Sequence, residues 1–228
     1  MSEADYRIGL IHATMNSVQP ILEAFQVHAP QVTLVNFMDE SLIFELNETG
    51  IVTKSMARRL LNLVEKAVMS GVDGVLLTCS SFTPVVAEIR HLFDVPMLSA
   101  DLSMLEKAVE MGSRIGVIAT VEAAGPTTAT ILEKISSEKQ KDVVVKTVVI
   151  PEAFKALQNG NRTQHDELIH REVQGLSNDC DVILFAQFSM ARALETLDTT
   201  ITTIPILTSP EISVKSIVAE ISKKEIIV

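Results

Sequence analysis

The sequence predicts an α/β protein of two homologous lobes, each a roughly four-stranded parallel sheet flanked by helices, related by a pseudo-two-fold axis with a cleft between them. Three observations predict it. Apolar runs of four to eight residues alternate with longer helical patterns along all 228 residues. The runs are apolar throughout, as strands covered on both faces must be. The second half of the chain also repeats the first, in order and at nearly constant spacing.

Each element has its own signal. YRIGLIHA (6–13) reads as a strand, and SVQPILEAFQVHA (17–29) as a helix with Ser17 placed to cap it. QVTLVNFM (31–38) is a strand, and MARRLLNLVEKAVMSG (56–71) a helix that Gly71 ends. DGVLLTC (73–79) is the third strand, TPVVAEIRHLF (83–93) a helix and VPMLSA (95–100) the fourth strand. The pattern then returns. RIGLIHAT (7–14) reappears as RIGVIATV (114–121), and DGVLLTCSSF (73–82) as DVILFAQFSM (181–190). DVPMLSADLSMLEKAV (94–109) reappears as TIPILTSPEISVKSIV (203–218), so the spacings are 107, 108 and 109 residues. Such a period is too long for a solenoid and indicates two lobes facing one another.

Composition narrows the function classes. The chain is 47% hydrophobic with no Trp, which suits a packed globular protein rather than a disordered one. A formal charge of −10 argues against a nucleic-acid partner. No apolar run approaches the roughly 18 residues of a membrane span. The acidic opening MSEADYRIGLIHAT is unlike a signal peptide. Two cysteines, at 79 and 180, make neither a disulfide framework nor a metal site. The expectation is a soluble, cytoplasmic protein with a small-molecule ligand and no metal.

VLLTCSSFTP (75–84) places Cys79 where an apolar strand gives way to a helix. Two readings stand. Free cysteines are often simply buried. In open α/β sheets, however, ligands sit beyond the carboxyl ends of strands, where Cys79 lies. At the 108-residue spacing its counterpart is Gln187, and that of Ser81 is Ser189. Cys180 starts its strand, roughly 20 Å from that edge, and reads as structural. His165 and His170 fall in the charged TQHDELIHREV, which reads as a solvated helix face. Asp39 and Glu40 read as helix caps, the methionines as core filler, and Gly125–Pro126 as a turn.

TCSSFTP after the third strand, RIGVIAT opening the second lobe and ILFAQFSMA make the chain resemble the cofactor-independent aspartate/glutamate/hydantoin racemase superfamily. NFMDESLI and PILTSP are weaker matches, and the resemblance covers nearly the whole chain. It implies two lobes enclosing a small carboxylate, no cofactor, and two residues, commonly cysteines, on opposite faces of the acidic carbon. It implies that the final segment rejoins the first lobe, giving lobes of 1–100 plus 209–228 and 101–208. With the apolar composition it also implies a homodimer.

Carried onto this chain, the resemblance makes Cys79 the acid/base, on a helix N-terminus expected to lower its pKa. Ser80, Ser81 and Thr83 would donate to the substrate carboxylate, with Thr120 and Ser189 completing its cradle. Gln187 stands at the second thiol position; a carboxamide is no base near neutral pH, so its role is a hydrogen bond to substrate. His12, at the end of the first strand, is within reach of a ligand, and Glu122 is the candidate second acid or base. The function expected is a racemase or isomerase acting on an amino acid or related acid. The alternatives are a single-thiol decarboxylase, a cis–trans isomerase, or a non-catalytic carboxylate-binding protein.

Overall fold

The computed structural model describes residues 5–198 and 200–227, with side chains as far as Lys224. In chain order the elements are β1 (Arg7–His12), α1 (Val18–His28), β2 (Thr33–Met38), α2 (Ser41–Thr49) and α3 (Lys54–Met69). There follow β3 (Gly74–Leu77), α4 (Thr83–Ile89), β4 (Met97–Ser99) and α5 (Leu102–Met111). The second half holds β5 (Arg114–Ala119), α6 (Ala124–Glu138), β6 (Val144–Val149), α7 (Pro151–Gln158) and α8 (Arg162–Leu176). It ends with β7 (Val182–Phe185), α9 (Ala191–Glu195), β8 (Ile206–Leu207) and α10 (Ser209–Ile227).

The chain forms two compact units, Met1–Leu102 with Pro210–Val228, and Ser103–Ser209. Each contains a four-stranded parallel sheet, ordered β2-β1-β3-β4 in the first and β6-β5-β7-β8 in the second. The registers correspond as well. Ile8 pairs with Gly74 where Ile115 pairs with Val182, and Val75 with Met97 where Ile183 pairs with Ile206. Central strands β3 and β7 are buried along their whole length, which is why they read as unbroken apolar runs.

Several local expectations change. Ser17 precedes α1 without capping it; its hydroxyl donates instead to the Thr14 carbonyl at 2.9 Å. At the start of α2 Glu40 makes no side-chain cap, while Asp39 Oδ1 accepts the Ser41 N–H at 3.2 Å. The 83–93 segment ends its α-helix at Ile89 and continues as the 3-10 turn Arg90–Leu92. Gly125 and Pro126 lie in the first turn of α6 rather than in a loop, a position that Pro tolerates because the N–H it lacks needs no partner there. Gly71, at φ +75°, does follow the end of α3.

Helix α10 closes the first unit. Ile217 and Ile221 lie over Gly74 of β3, where an added Cβ would meet Ile221 Cδ1 at 2.8 Å. Ser213 Oγ donates to the Ala100 carbonyl. Gly74→Val is therefore expected to lower stability by about 1–3 kcal/mol through overpacking, measured by urea unfolding. A change under about 0.5 kcal/mol, the size typical of surface substitutions, would show that α10 is not packed there.

Candidate active site

Thr78 N–H donates to the Ile11 carbonyl at 3.0 Å, the last rung between β3 and β1, and Cys79 follows it. Cys79 has extended backbone angles and begins the one-turn 3-10 helix Ser80–Phe82 that leads into α4. Burial there is nearly complete: Cys79 is 8% exposed, and Ser80, Ser81 and Thr83 are buried with it.

That burial decides the state of the thiol. It pushes the Cys79 pKa up to about 12, although Ser81 donates to the sulfur from both its N–H and its hydroxyl. The negative charge of Asp101 pushes the same way. The expected lowering by a helix N-terminus is therefore overturned, because lost hydration outweighs two hydrogen bonds.

Asp101, in the loop after β4, is a buried carboxyl beside the thiol that sequence reasoning did not single out. It is 1% exposed, and burial raises its pKa to about 6 against hydrogen bonds from Thr83, its own backbone and Ser99. Thr83 Oγ1 donates to its Oδ1 at 2.6 Å, while Oδ2 is buried without a partner. Ser80 Oγ and Asn16 Nδ2 are likewise buried and unpartnered. Polar atoms left so are uncommon in folded proteins and call for an explanation.

Both ring nitrogens of His12 are engaged within the protein. The residue is fully buried, with Nδ1 at 2.8 Å from Thr78 Oγ1 and Nε2 at 2.9 Å from Asn36 Oδ1. Burial holds its pKa below the ordinary value despite the Asn36 hydrogen bond, so the ring is neutral. Ser17 Oγ extends the network to Thr78 Oγ1 at 3.0 Å.

The second unit repeats the frame with other side chains. Ala186 N–H donates to the Ile118 carbonyl at 2.9 Å, and Gln187 follows it into the 3-10 turn Phe188–Met190. The Gln187 Oε1 accepts from Thr120 N–H at 2.8 Å and from Thr120 Oγ1 at 3.1 Å. Its Nε2 is left buried and unpartnered. Ser189 is buried nearby in sequence, whereas Glu122 sits exposed in the turn before α6. Cys180 packs in the apolar core of this unit, and burial raises its pKa.

His165 corrects the reading of α8 as solvated: it is fully buried, its Nδ1 at 2.7 Å from Asp166 Oδ1. Asp166 also takes Arg192 at 2.5 and 2.6 Å, while His170 Nε2 donates to the Ala193 carbonyl at 2.7 Å. These contacts tie α9, and with it the Gln187 turn, to α8. Among the described residues no cluster of three or more His, Cys, Asp or Glu is arranged to hold a metal. Nor is any helix among them long and apolar enough to cross a membrane.

Two parallel sheets of one strand order, each with a polar residue just past its third strand, define a duplicated α/β fold. The sequence profile of the Asp/Glu/Hydantoin racemase family matches residues 8–223, and the chain belongs to that family. A glutamate racemase from Trichodesmium erythraeum (strain IMS101) is 28% identical over 119 residues, 52% of this chain but only 43% of that relative's length. Among solved structures, glutamate racemase from Francisella tularensis bound to D-glutamate superposes with a TM-score of 0.76 at 11% identity, covering 97% of this chain and 82% of that one. An aspartate racemase homologue from Pyrococcus horikoshii OT3 gives 0.70 at 16% identity, covering 95% and 99%. Allantoin racemase from Klebsiella pneumoniae gives 0.65 at 14%, covering 96% and 89%. These structural likenesses carry the fold.

Asp101 has a thermodynamic signature. Its folded pKa lies above the unfolded value, so the folded state binds the proton more tightly and stability falls as pH rises from about 4 through about 6. Above that window the penalty is on the order of 3 kcal/mol. Asp101→Asn should therefore raise stability at pH 8 and change it little at pH 4, by urea unfolding at both. Equal effects at the two pH values would show that the carboxyl is not desolvated. Iodoacetamide at pH 8 should label Cys79 roughly tenfold or more slowly than a free cysteine; labelling at the free rate would place the thiol in solvent.

Proposed function

We propose that the protein is a cofactor-independent enzyme that moves a proton at the carbon beside the carboxylate of a small amino-bearing acid, with Cys79 carrying the proton. One observation carries the reading. Asn16 Nδ2, Ser80 Oγ and Asp101 Oδ2 are buried and unpartnered, in the segments that follow β1, β3 and β4, which lie side by side in one sheet. Two donors and one acidic oxygen are the complement of a zwitterion. The ligand carboxylate accepts from Asn16 and Ser80, and its ammonium donates to Asp101.

The chemistry rests on the effect of such a ligand on the thiol. An ammonium beside Asp101 cancels the negative charge that helps to hold the Cys79 pKa high. The ammonium's own positive charge then acts with the two Ser81 donors against desolvation, the larger cause of the raised pKa, and brings the thiolate within reach. The thiolate takes the proton from the acidic carbon, forming S–H and leaving the electron pair delocalised into the carboxylate as an enolate. The thiol returns a proton to that carbon. Return from the same face exchanges the hydrogen without inversion. Gln187, with no titratable group, offers no second acid at the equivalent position of the other unit.

Gln187 also favours a second reading. A site with one thiol suits decarboxylation of a malonate-type acid followed by protonation from a single face. Asp101, titrating near pH 6, can be protonated and donate to the second carboxylate. Asp101→Asn separates the two, since an amide donates to a carboxylate but cannot balance an ammonium.

The test is proton NMR in D₂O with chiral amino acids, hydantoins, malonates and maleate. Deuterium is expected at the acidic carbon of an amino acid, with the rate falling at least about a hundredfold in Cys79→Ala. Asp101→Asn should raise KM for that substrate, and Gln187→Ala should leave exchange within about tenfold. Loss of a malonate carboxylate would replace the first reading by the second. Saturable binding of a carboxylate without exchange or turnover would make this a binding protein, and no binding by any compound would remove the proposal.

A further inference from the structure

On the outside of the first unit, α3 and α4 frame a groove of about 440 Å³ lined by Lys54, Ala57, Arg58, Leu61 and Ile89. We propose that it binds an amphiphilic anion, a carboxylate or phosphate monoester head carrying an apolar tail. The inference is independent of the chemistry assigned to Cys79.

The four α3 residues fall at i, i+3, i+4 and i+7, a single stripe of the helix. Two are apolar and two are cations one turn apart. Like charges at that spacing repel. Lys54 moreover occupies the first helical position, where the helix dipole disfavours a cation, and no acidic residue lies in that turn. Neither Lys54 nor Arg58 has a carboxylate partner among the described residues. Their neighbour Arg59 is clamped by Asp39 at 2.6 Å and Glu45 at 2.9 Å. Lys54 and Arg58 are both exposed to solvent, and in a chain of net charge −10 they stand one turn apart beside an apolar floor.

An anionic head relieves all three features at once: it separates the two cations, pairs with both, and takes the favourable position at the start of α3. A tail directed along the groove covers Ala57, Leu61 and Ile89. The volume lies within the range of about 300–1,000 Å³ usual for small-ligand sites.

The test titrates octanoate, hexanoate, octyl phosphate and octanol into the whole protein by calorimetry. Octanoate should bind saturably, about tenfold more tightly than hexanoate for its two extra methylenes. Octanol should bind at least about tenfold more weakly than octanoate, and added salt should weaken the anion. If octyl phosphate binds more tightly than octanoate, the head is a phosphate; the reverse makes it a carboxylate. Lys54→Glu should cut octanoate affinity at least about tenfold while raising Tm by roughly 2 °C, because it places an acid at the helix start four residues ahead of Arg58. A loss of affinity with Tm maintained separates the site from the fold. No saturable binding, or binding indifferent to Lys54→Glu, overturns the proposal. So does self-association that Lys54→Glu abolishes and octanoate does not compete with, since the groove would then hold a second copy of the chain.

Discussion

One main-chain hydrogen bond, made twice, sets where each sheet's pairing ends. Thr78 N–H to the Ile11 carbonyl ends pairing in the first sheet, and Ala186 N–H to the Ile118 carbonyl ends it in the second. Past that rung the backbone must find other partners or turn, and both units turn at once into a 3-10 helix. The residue at the break is presented at the sheet's carboxyl edge with extended backbone angles: Cys79 in one unit, Gln187 in the other.

The duplication works as an internal control. Where the repeats share a structural task, their residues correspond: Asp73 and Asp181 each accept the main-chain N–H of an arginine, Arg7 and Arg114, that opens a strand. Where they diverge, the divergence collects at the first unit's carboxyl edge. His12, Thr78, Cys79 and Asp101 take the places that Ala119, Ala186, Gln187 and Pro210 hold in the other repeat. The second unit buries a histidine and a carboxylate as well, His165 and Asp166, but on α8 rather than just past a strand.

Much of this was legible in the sequence. Unbroken apolar runs and the repeat spacing carry both sheets, and the end of such a run locates Cys79. What is not legible is burial produced by packing from elsewhere in the chain. Asp101 in SADLSM looks like any residue ahead of a helix; its departure from the repeat was the available signal. The charge-rich TQHDELIHREV reads as solvated because nothing local reveals that Arg192 and Ala193 cover it. The thiol misled for the same reason. A helix start lowers a pKa and burial raises it, and only the three-dimensional surroundings decide which is larger.

The return of α10 to β3 has a consequence for how the molecule is made. The first unit lacks its covering helix until the whole of Ser103–Ser209 has been synthesised, which at ribosomal rates leaves it incomplete for roughly ten seconds. The second unit is continuous and can close first. The usual order, in which the amino-terminal domain folds ahead of later ones, is thus reversed, and Gly74 waits uncovered for Ile217 and Ile221. The half of the protein that holds the thiol is the last to become dry.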